Sequence, residues 1–202
     1  MTQLDILTEL SKGDYEAFLY DCDGTLADNM QAHKDTYVKV AADHGIEIDA
    51  AIIDEFAGLP IPRVIEEINK RYSCDFDPQT FEKLKYDLYY NDYIQHIKPV
   101  QHVADHLLAH VGNIKIGVVS GGSPEAIRKT LEILNLSSHV EVLVCAGDTE
   151  RGKPFPDPFL LAAEKLGVQP SSCLVFEDGE AGVKAAEAAG MDWIRIDKIT
   201  ES

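Results

Sequence analysis

Ala17-Phe18-Leu19-Tyr20-Asp21-Cys22-Asp23-Gly24-Thr25 decides how this chain is read. Four apolar or aromatic residues stop abruptly at two aspartates and a glycine, as a buried strand does when it runs out into a polar turn. Later runs have the same form: Ile114 to Val119, Val140 to Cys145, Cys173 to Phe176 ending on Glu177-Asp178, and Trp193 to Ile196. Between them, Ser123-Pro124 opens a helix to about Leu134, Pro158 to Leu166 is helical with Gly167 as its stop, and an alanine-rich helix reaches Gly190. Nearly continuous apolar strands alternating with helices predict an α/β fold, a parallel sheet covered on both faces.

Between the first strand and the second the strand signals vanish. Tyr37-Val38-x-Val40-Ala41 precedes the helix stop Gly45, Pro62 opens Val64-Ile65-x-x-Ile68, and Pro78 opens Phe81-x-x-Leu84-x-x-x-Leu88. So long a connection reads as a small helical domain inserted into the α/β core rather than as a loop. The expected division is 1–31 with 99–202 for the core and 32–98 for the insert.

The 202 residues carry 18 Lys and Arg against 35 Asp and Glu, a net charge of −17, with 45% hydrophobic residues. Such a chain can bury a real core, and its acidity argues against nucleic-acid and acidic-membrane partners, which need a basic stripe. No apolar run approaches the roughly 20 residues of a membrane span, and Met1 to Asp14 shows no charged start leading into an apolar signal core. Cys22, Cys74, Cys145 and Cys173 are far apart and without metal-ligand spacing, so reduced thiols in the cytoplasm are expected. The sequence does not fix the oligomeric state, a monomer being favoured.

In an open parallel sheet, ligands bind beyond the carboxyl ends of the strands. Those ends deliver Asp21 and Asp23, then Ser120-Gly121-Gly122, then Lys153-Pro154 in a loop, then Glu177-Asp178. So many carboxylates at close range raise one another's pKa unless a cation compensates, and a hard divalent ion bound by oxygen, Mg²⁺, does so. Ser120, the N–H groups of Gly121 and Gly122, and Lys153 are the parts that hold a phosphate. Metal, phosphate cradle and carboxylates on one rim spell phosphoryl transfer. Asp21 is the candidate nucleophile and Asp23 the candidate acid and base, provided that the chain turns between them, as Gly24 suggests.

Four segments carry a resemblance: Asp21-x-Asp23-Gly24-Thr25, Ser120, Lys153-Pro154-x-Pro156-Asp157-Pro158, and Phe176-Glu177-Asp178-x-x-x-Gly182. In order, they resemble the four motifs of the haloacid dehalogenase superfamily. The chain is most similar to its β-phosphoglucomutase-like group and, within it, to the fructose-1-phosphate and 6-phosphogluconate phosphatase branch. The resemblance implies a Rossmann-like parallel-sheet core with an inserted small α-helical cap domain. It implies Mg²⁺ held by Asp21, the backbone carbonyl of Asp23 and Asp178, with Glu177 a ligand or a partner of the ligands, and phosphate held by Ser120 and Lys153. His33 stands where the group has a histidine that meets the substrate or orients the acid, and Arg63, just after Gly58 to Pro62, near a position that reads the distal part of a phosphosugar. Gly179 replaces the serine often found after the Glu-Asp pair. Tyr89-Tyr90-Asn91-Asp92-Tyr93 shows tyrosines where a mutase is expected to show a substrate-binding lysine.

The expected activity is therefore Mg²⁺-dependent hydrolysis of a small phosphorylated metabolite, a sugar or sugar-acid phosphate, through an aspartyl-phosphate. A hexose-phosphate mutase is the alternative, disfavoured because rebinding a bisphosphate calls for cations in the cap. A dehalogenase needs neither Asp23 nor the acidic cluster, and a binding-only regulator has no need of a full catalytic set. Two further features read as structural. His102, His106 and His110 form a stripe, solvated or facing the cap, opposite Val103, Leu107 and Val111, rather than a zinc site. Tyr86, Tyr89, Tyr90 and Tyr93 read first as packing.

Overall fold

Helix α1 (Gln3–Leu10) opens the structure, a computed structural model describing residues 1–56 and 61–200. A reciprocal cap holds its start: Thr2 Oγ1 accepts from the Asp5 N–H, and Asp5 accepts from the Thr2 N–H at 2.9 Å. Strand β1 (Ala17–Tyr20) and the two-residue β2 (Ala27–Asp28) follow. Then come α2 (Met30–Asp43), α3 (Ala51–Glu55), α4 (Ile61–Tyr72) and α5 (Pro78–Leu88), continued by a π-helical turn, Tyr89–Tyr93. The chain returns through β3 (Lys98–Pro99) and runs on as α6 (Gln101–His110), β4 (Lys115–Val119), α7 (Pro124–Ile133) and β5 (Val142–Val144). It finishes with α8 (Asp157–Leu166), β6 (Cys173–Glu177), α9 (Glu180–Ala188) and β7 (Asp192–Arg195).

Two units result, one of Met1–Asp28 with Ile97–Ser202, the other Asn29–His96. In the first, β5-β4-β1-β6-β7 pair in that order, every neighbour parallel. Numbered along the chain, this is the 3-2-1-4-5 order of a Rossmann-like sheet, and the winding reverses direction between β1 and β6. Side chains alternate across β1. Ala17 and Leu19 join Val175, Phe159 and the alanines of α8 and α9 in one apolar layer. Phe18 and Tyr20 pack on the other side with Phe176 and the imidazole of His106 from α6. The ribbon of β2 with β3, Ala27 opposite Pro99 and Asp28 opposite Lys98, closes the base of the insert.

The second unit has its own core, in which Tyr37, Val40 and Ala41 of α2 meet Ile52, Val64, Ile65, Ile68 and Phe81. At roughly 1.5–3 kcal/mol for each large side chain buried, this is enough to hold a helical unit together. Asp77 caps α5, accepting from the Thr80 N–H at 2.8 Å, and Pro78 occupies the first turn.

Candidate active site

Asp21 sits one residue past β1, where its N–H donates to the Phe176 carbonyl at 2.9 Å and so extends the β1–β6 ladder. The chain then turns hard. Leu26 and Ala27 donate their N–H groups to the Cys22 carbonyl, and Gly24 takes φ +87°, a conformation few residues other than glycine adopt. Gly24 is needed for a second reason, since a Cβ there would lie 2.2 Å from Asp178 Oδ2. The Asp178 carboxylate therefore rests on bare backbone and accepts from Thr25 Oγ1 at 3.2 Å. Gly182 does the same for Glu177, because a Cβ there would meet Oε1 at 1.8 Å.

Lys153 joins the strand ends. Its Nζ donates to Asp21 Oδ1 at 2.7 Å, to Glu177 Oε1 at 2.5 Å and to the Val119 carbonyl at 2.8 Å, which uses all three of its N–H bonds. The Lys153 side chain is 11% exposed and that of Glu177 3%. Glu177 Oε2 accepts from the Gly179 N–H at 3.2 Å, so both oxygens of Glu177 are engaged. In the loop bearing Lys153, Arg151 grips Asp157 with two N–H bonds of 3.0 and 2.9 Å and lies 4.7 Å over the Phe155 ring.

Burial pushes the Asp21 carboxyl well above the usual aspartate range, the Lys153 ammonium only partly offsetting it, while Glu177, Asp178 and Asp23 push it further. Asp178 is raised to about 6, again by burial first and by Glu177 second. Burial works against the charge of Lys153, but Asp21 and Glu177 outweigh it and the ammonium is held firmly. Carboxylates this reluctant to ionise beside a single ammonium lack positive charge. Oxygens of Asp21, Glu177 and Asp178 lie within 4.8 Å of one another, an all-oxygen donor set that suits a hard divalent cation.

Ser120, buried past the end of β4, accepts the Gly122 N–H at 3.0 Å, which keeps that N–H inside the turn, whereas Gly121 is exposed. Asp23 is half-buried in the turn and bridges to Ala27. Ser123 caps α7 by accepting from the Ala126 N–H. These residues belong to the first unit, as do Asp21, Lys153, Glu177 and Asp178.

In the second unit, His33 stacks on Tyr89 at 4.3 Å and 12°, and Asn29 donates to the Tyr89 hydroxyl at 2.9 Å. Lys85 Nζ donates to His33 Nδ1 at 3.2 Å and lies 5.2, 4.8 and 5.8 Å over the rings of Tyr37, Tyr86 and Tyr89. Lys85 is 2% exposed, a buried cation that the sequence reading missed. Its only signal was a lysine one turn before the tyrosine cluster, and on a helix lysine reads as solvated. Arg63 is exposed on α4 and pairs with Glu66 at 2.6 Å. The neighbouring stretch 57–60 lies outside the described residues.

One reading fails. His106 is not solvated but fully buried among residues of the first unit, with His102 and His110 half-buried beside it, while Val111, assigned to the apolar face, is 39% exposed. Phe18, Tyr20 and Phe176 supply aromatic surface that the imidazole packs against, and hydroxyls satisfy both of its nitrogens. The cysteines are unpaired, with Cys22, Cys145 and Cys173 buried and Cys74 partly exposed.

Residues 15–190 match the haloacid dehalogenase-like hydrolase family. The chain belongs to this family. Among the relatives of this haloacid dehalogenase-like hydrolase is the fructose-1-phosphate phosphatase YqaB of Escherichia coli, 30% identical over 90% of this chain and 96% of its own length. A phosphorylated carbohydrates phosphatase of Thermotoga maritima is 26% identical, covering 89% of this chain and 83% of its own. A variant of CbbY from Rhodobacter sphaeroides, crystallised with xylulose-(1,5)bisphosphate, shares the fold at a TM-score of 0.78 and 21% identity, covering 89% of this chain and 84% of that one. No helix among the described residues is long and apolar enough to cross a membrane.

Proposed function

We propose that this hydrolase is a Mg²⁺-dependent phosphatase acting on a small sugar or sugar-acid phosphate, such as fructose 1-phosphate or 6-phosphogluconate, through an aspartyl-phosphate on Asp21. The enzyme is a phosphoric monoester hydrolase. The observation that carries the finer reading is the meeting of Asp21, Lys153, Glu177 and Asp178 at the switch point of the sheet.

Asp21 and Asp178, with the Asp23 carbonyl, are the residues to hold Mg²⁺, and Glu177, whose oxygens bond Lys153 and Gly179, serves as their partner. When bound, the ion supplies positive charge to the transferring phosphoryl group. An Asp21 oxygen attacks phosphorus, the ester P–O bond breaks, and Asp23 gives a proton to the departing alkoxide. Asp23 then takes a proton from water as the water attacks the acyl phosphate, which returns Asp21 and releases phosphate. Ser120 and the N–H groups of Gly121 and Gly122 hold the phosphoryl oxygens, the Gly122 N–H exchanging Ser120 Oγ for substrate. Lys153 orients Asp21 and meets phosphate only by yielding one of its three bonds.

Residues 32–98 act as a cap domain that reads the rest of the substrate, with His33 the group for it and Arg63 a candidate for its distal end. The four unpaired cysteines support a reducing, cytoplasmic compartment. Lys85 keeps a mutase as the second reading, since it gives the cap the buried cation that the tyrosine segment lacks. Phosphate release from a sugar-phosphate panel with and without Mg²⁺ tests the main reading. Isomer conversion with a bisphosphate activator, in place of release, would select the mutase.

A further inference from the structure

His106 is 0% exposed and lies beneath the two strand ends that bear the carboxylates. Its Nδ1 is 2.9 Å from the Tyr20 hydroxyl and its Nε2 2.8 Å from Ser11 Oγ. Tyr20 immediately precedes Asp21, and Phe176 immediately precedes Glu177. Their rings stack at 4.5 Å and 11°, with the His106 centroid 6.2 Å from the one and 5.0 Å from the other.

Counting donors fixes the direction of this chain of hydrogen bonds. The Tyr20 hydroxyl has no hydrogen-bond partner among the described residues besides His106, so it donates to Nδ1, and Ser11 Oγ, whose proton has the Thr8 carbonyl 3.2 Å away to go to, accepts from the Nε2 side. Nε2 therefore carries the imidazole hydrogen, and Nδ1 accepts from the Tyr20 hydroxyl. The opposite order would leave the buried Tyr20 hydroxyl proton without an acceptor among the described residues, at a cost of roughly 1–3 kcal/mol. Burial also pushes His106 down to about 3, which keeps it the neutral ring that this order requires.

We propose that His106 is a positioning residue for the reaction: as the Nε2–H tautomer it fastens Tyr20, and through the Tyr20–Phe176 stack it sets the separation of Asp21 from Asp178. Asp21 and Asp178 lie on adjacent strand ends, and the last backbone bond between those strands, Asp21 N–H to Phe176 O, is made at the level of the stack. Ser11 ends α1, so the same chain ties the N-terminal helix to the catalytic strand. This inference takes from the proposed function only that Asp21 and Asp178 hold a divalent cation.

Tyr20→Phe tests it, deleting one hydroxyl while keeping the stack. In ¹⁵N-labelled wild-type protein, the His106 ring should show the Nε2–H tautomer; the Nδ1–H tautomer overturns the assignment. In Tyr20→Phe, the Asp21 and Asp178 amide resonances should shift while those of β5 hold, and Mn²⁺ affinity should fall on the order of 10-fold. On p-nitrophenyl phosphate, kcat should fall with little change in KM. A folded Tyr20→Phe protein with wild-type Mn²⁺ affinity and unmoved amides overturns the positioning role. If wild-type protein binds no Mn²⁺, the metal reading above fails, and the amides alone decide the positioning: shifted they uphold it, unmoved they overturn it.

Discussion

Replacing Lys153 by methionine removes the one ammonium between Asp21 and Glu177 while filling most of the space its stem occupies beside Phe159. Breaking a buried ion pair from one side costs about 3–5 kcal/mol, because the abandoned charge stays desolvated. The two carboxylates have an escape, which is to take up a proton. Asp21 is already pushed up by burial, with Lys153 as its main counterweight, so losing Lys153 raises it further. A carboxyl whose folded pKa exceeds its unfolded value near 3.8 binds more protons in the folded state, so its contribution to stability declines as pH rises. The penalty should therefore be about 1 kcal/mol at pH 5 and about 3–5 kcal/mol at pH 8. Urea unfolding in EDTA at the two pH values reads it as a shift of the midpoint at constant m. Turnover of p-nitrophenyl phosphate should fall by on the order of 100-fold or more. A loss of equal size at pH 5 and pH 8, or none at pH 8, would refute the electrostatic argument.

Asp21→Asn should abolish phosphate release, by at least about 1,000-fold, and wild-type turnover would remove Asp21 from the nucleophile's place. Gly182→Ala puts a methyl group where Glu177 Oε1 now lies, so it should lower stability by roughly 2–3 kcal/mol and cut activity, read by thermal melting and phosphate release. His106, at about 3 in the folded protein against 6.5 in its absence, binds fewer protons folded than unfolded, so its contribution is complete above pH 6.5 and drains away as pH falls. That is about 2 kcal/mol between pH 7 and pH 5. Asp178, at about 6, has the opposite slope in the same window, so the quantity to measure is the difference between wild type and His106→Phe. Identical pH slopes in the two proteins would contradict the buried neutral imidazole.

The sheet was legible because a strand buried on both faces reads as an apolar run, and β1, β4 and β6 are runs of that kind. Strand ends then named Asp21, Ser120, Lys153, Glu177 and Asp178, since topology alone brings parallel strand ends to one rim. Where alternation or exposure had to be guessed, the reading thinned. Helix α1 has no place in the reading of the sequence, although Thr2-x-x-Asp5 is a capping pattern. The ribbon of β2 and β3 is too short for any periodicity to reveal. His106 was placed by residue type on the wet side of its helix and Lys85 was not singled out, yet His106 is buried against Phe18, Tyr20 and Phe176, and Lys85 against Tyr37 of α2 as well as its own neighbours Tyr86 and Tyr89. Partners of that sort are set by tertiary packing, which one helix's pattern does not contain.

The β2–β3 ribbon has a consequence of its own. The outgoing and returning strands of the insert lie side by side, Asp28 facing Lys98, so the polypeptide leaves the first unit and returns to it at almost the same place. Nothing in the sheet's register depends on what lies in between. Lineages descended from such a scaffold can lengthen, shorten or exchange the intervening helices without retuning the strand ends that gather Asp21, Lys153, Glu177 and Asp178.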